Sequence, residues 1–323
     1  MKRFFKFLFG AILLCIAMFL LGPKPDITDT FAFDASAIGD DLDAYLTQSE
    51  AKVADLIPGA EKEIIWHQPD SKNKTPYSIV YVHGFSATKH EIRPVPDRVA
   101  KAMQANLFYT RIKGHGRTGD GLSDATVQDH ADDYAEAIEI GKRLGEKIIL
   151  IATSNGANIS TWGLGQTEFS SDVAAAIFLS ANYELQGLST SLGNIPWAET
   201  ILPMIAGERR EWQPSNELHG KWWTTSYPST AIFPMMGMLK MLKEVDKSTI
   251  KQPALFIFSP EDTVIVPKEI RNVAAEWGGP VELFEVESTE DRSKHVIAGD
   301  IMSPGNTNLV TEKMTEWLQK NLP

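Results

Sequence analysis

The sequence predicts an α/β protein, a mostly parallel sheet with helices on both faces, and two observations predict it. Short β-rich runs alternate with segments of helical length along most of the chain. The residues able to do chemistry follow the ends of those runs, where a parallel sheet delivers its loops to one edge. A chain of 323 residues can bury a large core, and no internal repeat or low-complexity tract interrupts it.

The first run is Glu63-Ile64-Ile65-Trp66, joined by the polar stretch Pro69 to Lys74 to a second run that begins at Tyr77. The pair reads as an antiparallel entry hairpin. Further strands are expected at Asn106 to Thr110, Lys147 to Ile151, Ala175 to Leu179, Ala254 to Phe258 and Val281 to Val286. Helices are expected near residues 88–104, 125–144, 156–167, 267–278 and 307–321. The second of these carries Tyr134, Ala137, Ile138 and Leu144 on helical spacing and stops at Gly145, a C-terminal cap.

The most informative feature is Ala152-Thr153-Ser154-Asn155-Gly156, directly after Lys147-Ile148-Ile149-Leu150-Ile151. A serine with tiny side chains two residues away on each side, between a β-branched strand and a helix, fits a nucleophile elbow. Such a turn strains the serine backbone and leaves no room for bulk at either flank. A serine N-cap at a strand-to-helix turn is the alternative reading of the same residues.

The rest of the chain favours the elbow. Asp262 follows the run Ala254 to Phe258, in the loop Ser259 to Val264, and His295 follows the run Val281 to Val286. A serine hydroxyl needs a base near neutral pKa, which histidine supplies, and a carboxylate must hold the imidazole in one tautomer. Ser154, Asp262 and His295 are therefore the candidate catalytic residues. Upstream, the run Tyr77 to Val82 ends in His83-Gly84-Phe85-Ser86. That break can turn backbone N–H groups toward the serine, so the N–H groups of Phe85 and Asn155 are the candidate oxyanion donors. The His83 side chain is assigned a structural place under the loop.

Together, His83-Gly84-Phe85, Gly114-His115-Gly116, Ser154 in its elbow, Asp262 and His295 resemble the α/β-hydrolase superfamily, from about residue 60 to the end of the chain. Within it the chain most resembles the branch of monoglyceride lipases, lysophospholipases and small carboxylesterases. The resemblance implies the α/β-hydrolase fold with an inserted helical cap, and an architectural role for His115. Two residues depart from the pattern: Ala152 stands at the first elbow glycine, and His130 lies about where relatives often carry a tryptophan.

Some seventy residues separate the run ending at Leu179 from that beginning at Ala254, too many for an ordinary connection. This stretch holds Trp197, Trp212, Trp222, Trp223 and Phe233-Pro234-Met235-Met236-Gly237-Met238-Leu239. It reads as a cap whose broad, adaptable side chains suit an acyl group, or else form the cap's own small core. The expected organisation is residues 1–25 as a membrane anchor or signal segment and 26–60 as a spacer. Residues 61–181 and 251–323 form the hydrolase core, with 182–250 as the cap.

Lys2, Arg3 and Lys6 precede the apolar run Phe7 to Leu21, which Gly22-Pro23-Lys24-Pro25 ends. With Phe4 and Phe5 the stretch reaches about seventeen residues, the lower limit for a spanning helix. No A-x-A-like cleavage site follows, which favours an anchor over a cleaved signal, and the basic flank places the catalytic domain outside the cytoplasm. A secreted form after cleavage is the alternative. Between residues 26 and 60, Asp34, Asp40, Asp41 and Asp43 begin an expected solvated helix running to Leu56.

The net charge of −11 leaves no basic face for nucleic acid. The single Cys15 excludes an intrachain disulfide, and no Cys/His cluster has metal-ligand spacing, so neither metal nor cofactor is expected. The sequence thus points to a serine hydrolase acting on small-molecule or lipid carboxylic esters of medium or long acyl chain. Acyl transfer by the same triad, or an inactive hydrolase fold binding a partner at the membrane, are the alternatives.

Overall fold

The computed structural model describes residues 2–25, 27, 31–187 and 195–323. Positions 1, 26 and 28–30 of the two N-terminal segments and 188–194 of the expected cap lie outside the described residues. The chain begins with helices α1 (Lys2–Leu20) and α2 (Leu42–Glu50), followed by strands β1 (Glu63–Ile65) and β2 (Thr75–Val82). Then come α3 (Val95–Ala102), β3 (Asn106–Tyr109), α4 (Val127–Leu144), β4 (Gly145–Thr153), α5 (Asn155–Leu164), α6 (Thr167–Ser170) and β5 (Val173–Leu179). An insertion follows with α7 (Ala198–Ala206), β6 (Arg209–Glu211), α8 (Glu217–Trp222), β7 (Ser226–Pro228) and α9 (Phe233–Glu244). The core resumes with β8 (Ala254–Phe258), α10 (Pro267–Glu276), β9 (Val281–Glu285) and α11 (Thr307–Asn321).

Seven strands form one sheet in the order β1-β3-β2-β4-β5-β8-β9, parallel except for β1. The expected entry hairpin is not formed. Both edges of β2 are taken by parallel partners, β3 and β4, so β1 pairs antiparallel with the free edge of β3 instead, Ile64 opposite Phe108. Successive strand residues face opposite sides of the sheet, and the core divides accordingly. Val80, Val82, Ile148, Leu150 and Ala152 pack on one face with side chains from α4, α5 and α10. Ile79, Tyr81, Ile149 and Ile151 pack on the other with α3 and α11. Because both faces are covered, β4 and β8 read as continuous apolar runs, whereas edge strand β9 alternates between part-buried and exposed positions.

Helix α4 starts where local chemistry starts it. Thr126 and Asp129 form a reciprocal capping box. Gly145 ends the helix in an extended conformation and begins β4 in the same step. A Cβ there would strike the backbone nitrogen of Ser78, so close approach to β2 is what requires the glycine.

The segment before β1 is not a solvated spacer, and its helix ends at Glu50 rather than Leu56. Asp41 caps α2, while Ile38, Leu42 and Leu46 enter the core. Glu50 at the last turn forms a buried bidentate pair with Arg111, at 2.7 and 2.8 Å. That ion pair gives the helix a fixed seat. Ile57 then donates to the Gly116 carbonyl at 2.8 Å, so the whole segment braces the Gly114-His115-Gly116 loop.

The insertion combines helices with a two-stranded sheet, β6 with β7. Its Met236, Met238 and Leu239 are buried, as are Trp222 and Trp223, so these side chains fill packing space rather than line an open groove. Trp222 stacks on His90 with centroids 3.7 Å apart, and Thr224 N–H donates to the Ser86 carbonyl at 2.7 Å. Those contacts seat the insertion on the loop after β2. One helix, within α1, is long and apolar enough to cross a membrane among the described residues.

Candidate active site

Ser154 lies between β4 and α5 with φ +50° and ψ −114°, a conformation disfavoured for a side-chain-bearing residue. Surrounding backbone enforces it. Ser154 N–H donates to the Leu179 carbonyl at 2.9 Å, and the Ser154 carbonyl accepts from Asn182 N–H at 3.1 Å. Gly156 faces the end of β2 so closely that a Cβ would strike the Val82 carbonyl oxygen. Ala152, fully buried, shows that the first flank of the turn holds a methyl group.

Asp262 and His295 come together from different loops. His295 Nδ1 is 2.7 Å from Asp262 Oδ2. Asp262 is held in turn: its Oδ1 accepts the N–H groups of Val264 at 2.7 Å and Ile265 at 3.0 Å. Asp291 fixes the histidine loop, its Oδ2 accepting from the N–H groups of His295 and Val296 at 3.0 and 2.9 Å. Ser180 Oγ donates to the His295 carbonyl at 2.6 Å. Burial opposes a charge on His295, but the Asp262 carboxylate and its hydrogen bond, with Glu91 and Asp291 behind, outweigh it and hold the pKa above 6.5. Among the described residues Ser154 Oγ makes no hydrogen bond to His295; such bonds commonly tighten only with substrate in place.

The loop after β2 is fixed through His83. Ile112 N–H donates to His83 Nε2 at 3.0 Å, so the ring proton sits on Nδ1 and is donated to the Gly84 carbonyl at 2.9 Å. That carbonyl and the Phe85 N–H share one peptide plane and point in opposite directions. His83 therefore aims the Phe85 N–H, which donates to no acceptor among the described residues. Asn155 opens α5, so its N–H has no carbonyl one turn back. Burial drives the pKa of His83 well below 6.5, and His115, whose ring lies 5.0 Å from it, falls to about 4. Both are neutral scaffold groups, not bases. His130, also buried, falls to about 3.

Two acids at this site escape sequence reading. Glu91 lies in a connecting segment with no motif around it, and Asp291 is one of several acids in an ordinary polar loop. Their tertiary partners give them meaning.

The overall fold is shared with solved structures. LipS and LipT, two metagenome-derived lipolytic enzymes, give a structure that superposes with a TM-score of 0.66 at 20% identity, covering 82% of this chain and 99% of that one. A soluble variant of monoglyceride lipase from Saccharomyces cerevisiae gives 0.59 at 15% identity, over 94% of this chain and 97% of the other. The chain has the α/β-hydrolase fold. In sequence the chain is 22% identical over 204 residues to the thermostable monoacylglycerol lipase of Bacillus sp. (strain H-257), covering 62% of this chain and 76% of that protein. No family model matches it.

Proposed function

We propose that this protein is a serine hydrolase of carboxylic esters, of the lipase and esterase type. The observation that carries the reading is the His295–Asp262 bond, formed at the sheet edge where the strained Ser154 turn also sits. The monoacylglycerol lipase of Bacillus sp. (strain H-257) and the structural neighbours named for lipolysis support the substrate class.

In the proposed reaction His295 Nε2 takes the Ser154 proton as Oγ attacks the ester carbonyl. The N–H groups of Phe85 and Asn155 receive the developing oxyanion. Collapse expels the alcohol, protonated by His295, and water then clears the acyl-enzyme by the same route. Asp262 keeps the imidazole proton on Nδ1 and stabilises the imidazolium.

The insertion between β5 and β8 acts as the cap in this reading. Tyr227 on β7 stands edge-on to Phe85, with centroids 5.4 Å apart, over the proposed oxyanion donor. Helix α1 serves as an anchor that holds the catalytic domain outside the cytoplasm. Its support is an apolar, solvent-facing surface; the Trp197 N–H donates to the Pro23 carbonyl at 2.6 Å, and Met204 and Ile205 of the following helix α7 are exposed.

The test is fluorophosphonate labelling and hydrolysis of p-nitrophenyl esters of increasing chain length. Ser154→Ala is expected to abolish labelling and lower turnover by about 10⁴-fold or more. Undiminished hydrolysis by that variant would sink the assignment.

A further inference from the structure

Glu91 is a carboxylate only 2% exposed, buried beneath the loop after β2. Its Oε2 accepts two hydrogen bonds, from Gly84 N–H at 2.8 Å and from the Tyr81 hydroxyl at 2.9 Å. The Tyr81 oxygen lies 3.1 Å from Thr153 Oγ1. A buried chain of polar groups thus runs from Thr153, next to the proposed nucleophile, through Tyr81 and Glu91 to Gly84, next to the proposed oxyanion donor Phe85.

The other carboxylate oxygen, Oε1, makes no hydrogen bond among the described residues and lies beside Gly84. A methyl group placed on Gly84 would stand 2.6 Å from Glu91 Oε1 and 3.2 Å from Ser154 Cβ, so both side chains pack against this glycine. A buried carboxylate is costly unless its bonds repay it. Holding two loops at a fixed separation is a return that an apolar side chain here cannot give.

The geometry of the loop explains why that separation matters. The Gly84 amide is held by Glu91 on one side, and its carbonyl by His83 Nδ1 on the other. Consecutive peptide planes are therefore clamped, and the second carries the Phe85 N–H. The Asn155 N–H is tied to the other end of the same chain through Thr153. We propose that Glu91 is a positioning residue for the Ser154 reaction, holding the Phe85 and Asn155 donors at a working separation through Gly84 and Tyr81. This inference rests on the serine-hydrolase reading above.

The full-length protein in detergent is compared with Glu91→Ala, Glu91→Gln and Tyr81→Phe, each checked by circular dichroism and thermal melting. Glu91→Ala is expected to lower kcat about 10²-fold with KM within about threefold, the size of effect seen when an oxyanion donor is lost or displaced. Tyr81→Phe, which removes only the hydroxyl, is expected to lower kcat about tenfold. The amide oxygen of Glu91→Gln can accept both hydrogen bonds, so it is expected to restore kcat to within about threefold of the parent. It should also move the acid limb of the rate profile to lower pH, because one of the three carboxylates that raise the His295 pKa is then neutral.

Parental kcat in folded Glu91→Ala, a loss confined to KM, or a Glu91→Gln loss as deep as that of Ala would each overturn the proposal. Should Glu91→Ala not fold, Tyr81→Phe and Glu91→Gln decide it by the same criteria. Absence of Ser154-dependent fluorophosphonate labelling in the parent would instead remove the serine-hydrolase reading. Ser154-dependent labelling at equal rates in parent and Glu91→Ala would remove this inference alone.

Discussion

Asp262 meets His295 through a 2.7 Å contact between Oδ2 and Nδ1, while its other oxygen is occupied by the N–H groups of Val264 and Ile265. The carboxylate is thereby fixed in rotation, and the imidazole is offered one tautomer. Asp262→Asn is expected to lower kcat by about 10⁴-fold, because an amide NH₂ can force the opposite tautomer on the ring. Single-turnover kinetics on an activated ester would measure it. A loss under tenfold would remove Asp262 from the catalytic assignment.

The same carboxylate sets a pH dependence. The His295 pKa is raised above 6.5, and the proposed mechanism uses the neutral ring as base. The acid limb of kcat/KM is therefore expected above pH 6.5, with activity lost as pH falls through it. An acid limb well below 6.5 would contradict the role given to the Asp262 pairing.

Stability should also fall on acidification, here through histidines whose pKa values are lowered rather than raised. His115 and His130 are buried neutral, with pKa values held to about 4 and about 3, and His83 is likewise depressed by burial. In the unfolded chain each takes up a proton near pH 6.5, so stability is full above that pH and falls toward pH 4. The His115 shift alone corresponds to about 3 kcal/mol at the low end. His295 works the other way: its contribution is full below pH 6.5 and lost as pH rises through its raised value. Urea unfolding at pH 7.5, 6 and 5 should show a falling midpoint, and a midpoint flat over that range would count against three neutral buried imidazoles.

Gly156 tests the elbow sterically. A methyl group there meets the backbone oxygen of Val82, which belongs to a central strand and cannot swing aside. Gly156→Ala should cost about 1–3 kcal/mol and lower kcat about 10²-fold by displacing Ser154. Thermal melting and ester kinetics would read both effects, and a variant with parental values would show that the turn has slack.

Glu50 and Arg111 test whether the segment before β1 belongs to the folded unit. The pair is buried and bidentate, so Glu50→Ala leaves a buried guanidinium without its partner. A loss of about 3–5 kcal/mol is expected, with a smaller loss for Glu50→Gln. Chemical denaturation decides it, and an effect below 0.5 kcal/mol would mean that α2 docks without the ion pair.

Much of this protein is local and therefore legible in sequence. Strand runs at β2, β4, β5 and β8 are apolar because both sheet faces are covered, and Ser154 between Ala152 and Gly156 marks its turn by the absence of side-chain bulk. Asp262 and His295 stand out because they follow strands in a recognisable order. What the sequence could not carry depends on partners distant along the chain. The place of β1 was decided by competition for the edges of β2, and the seat of α2 by Arg111, sixty-one residues beyond Glu50. Glu91 looks like any surface acid until Tyr81 and Gly84 close around it. Backbone geometry and hydrophobic period are written within a few residues, whereas the pairing of a buried charge exists only once the chain has folded.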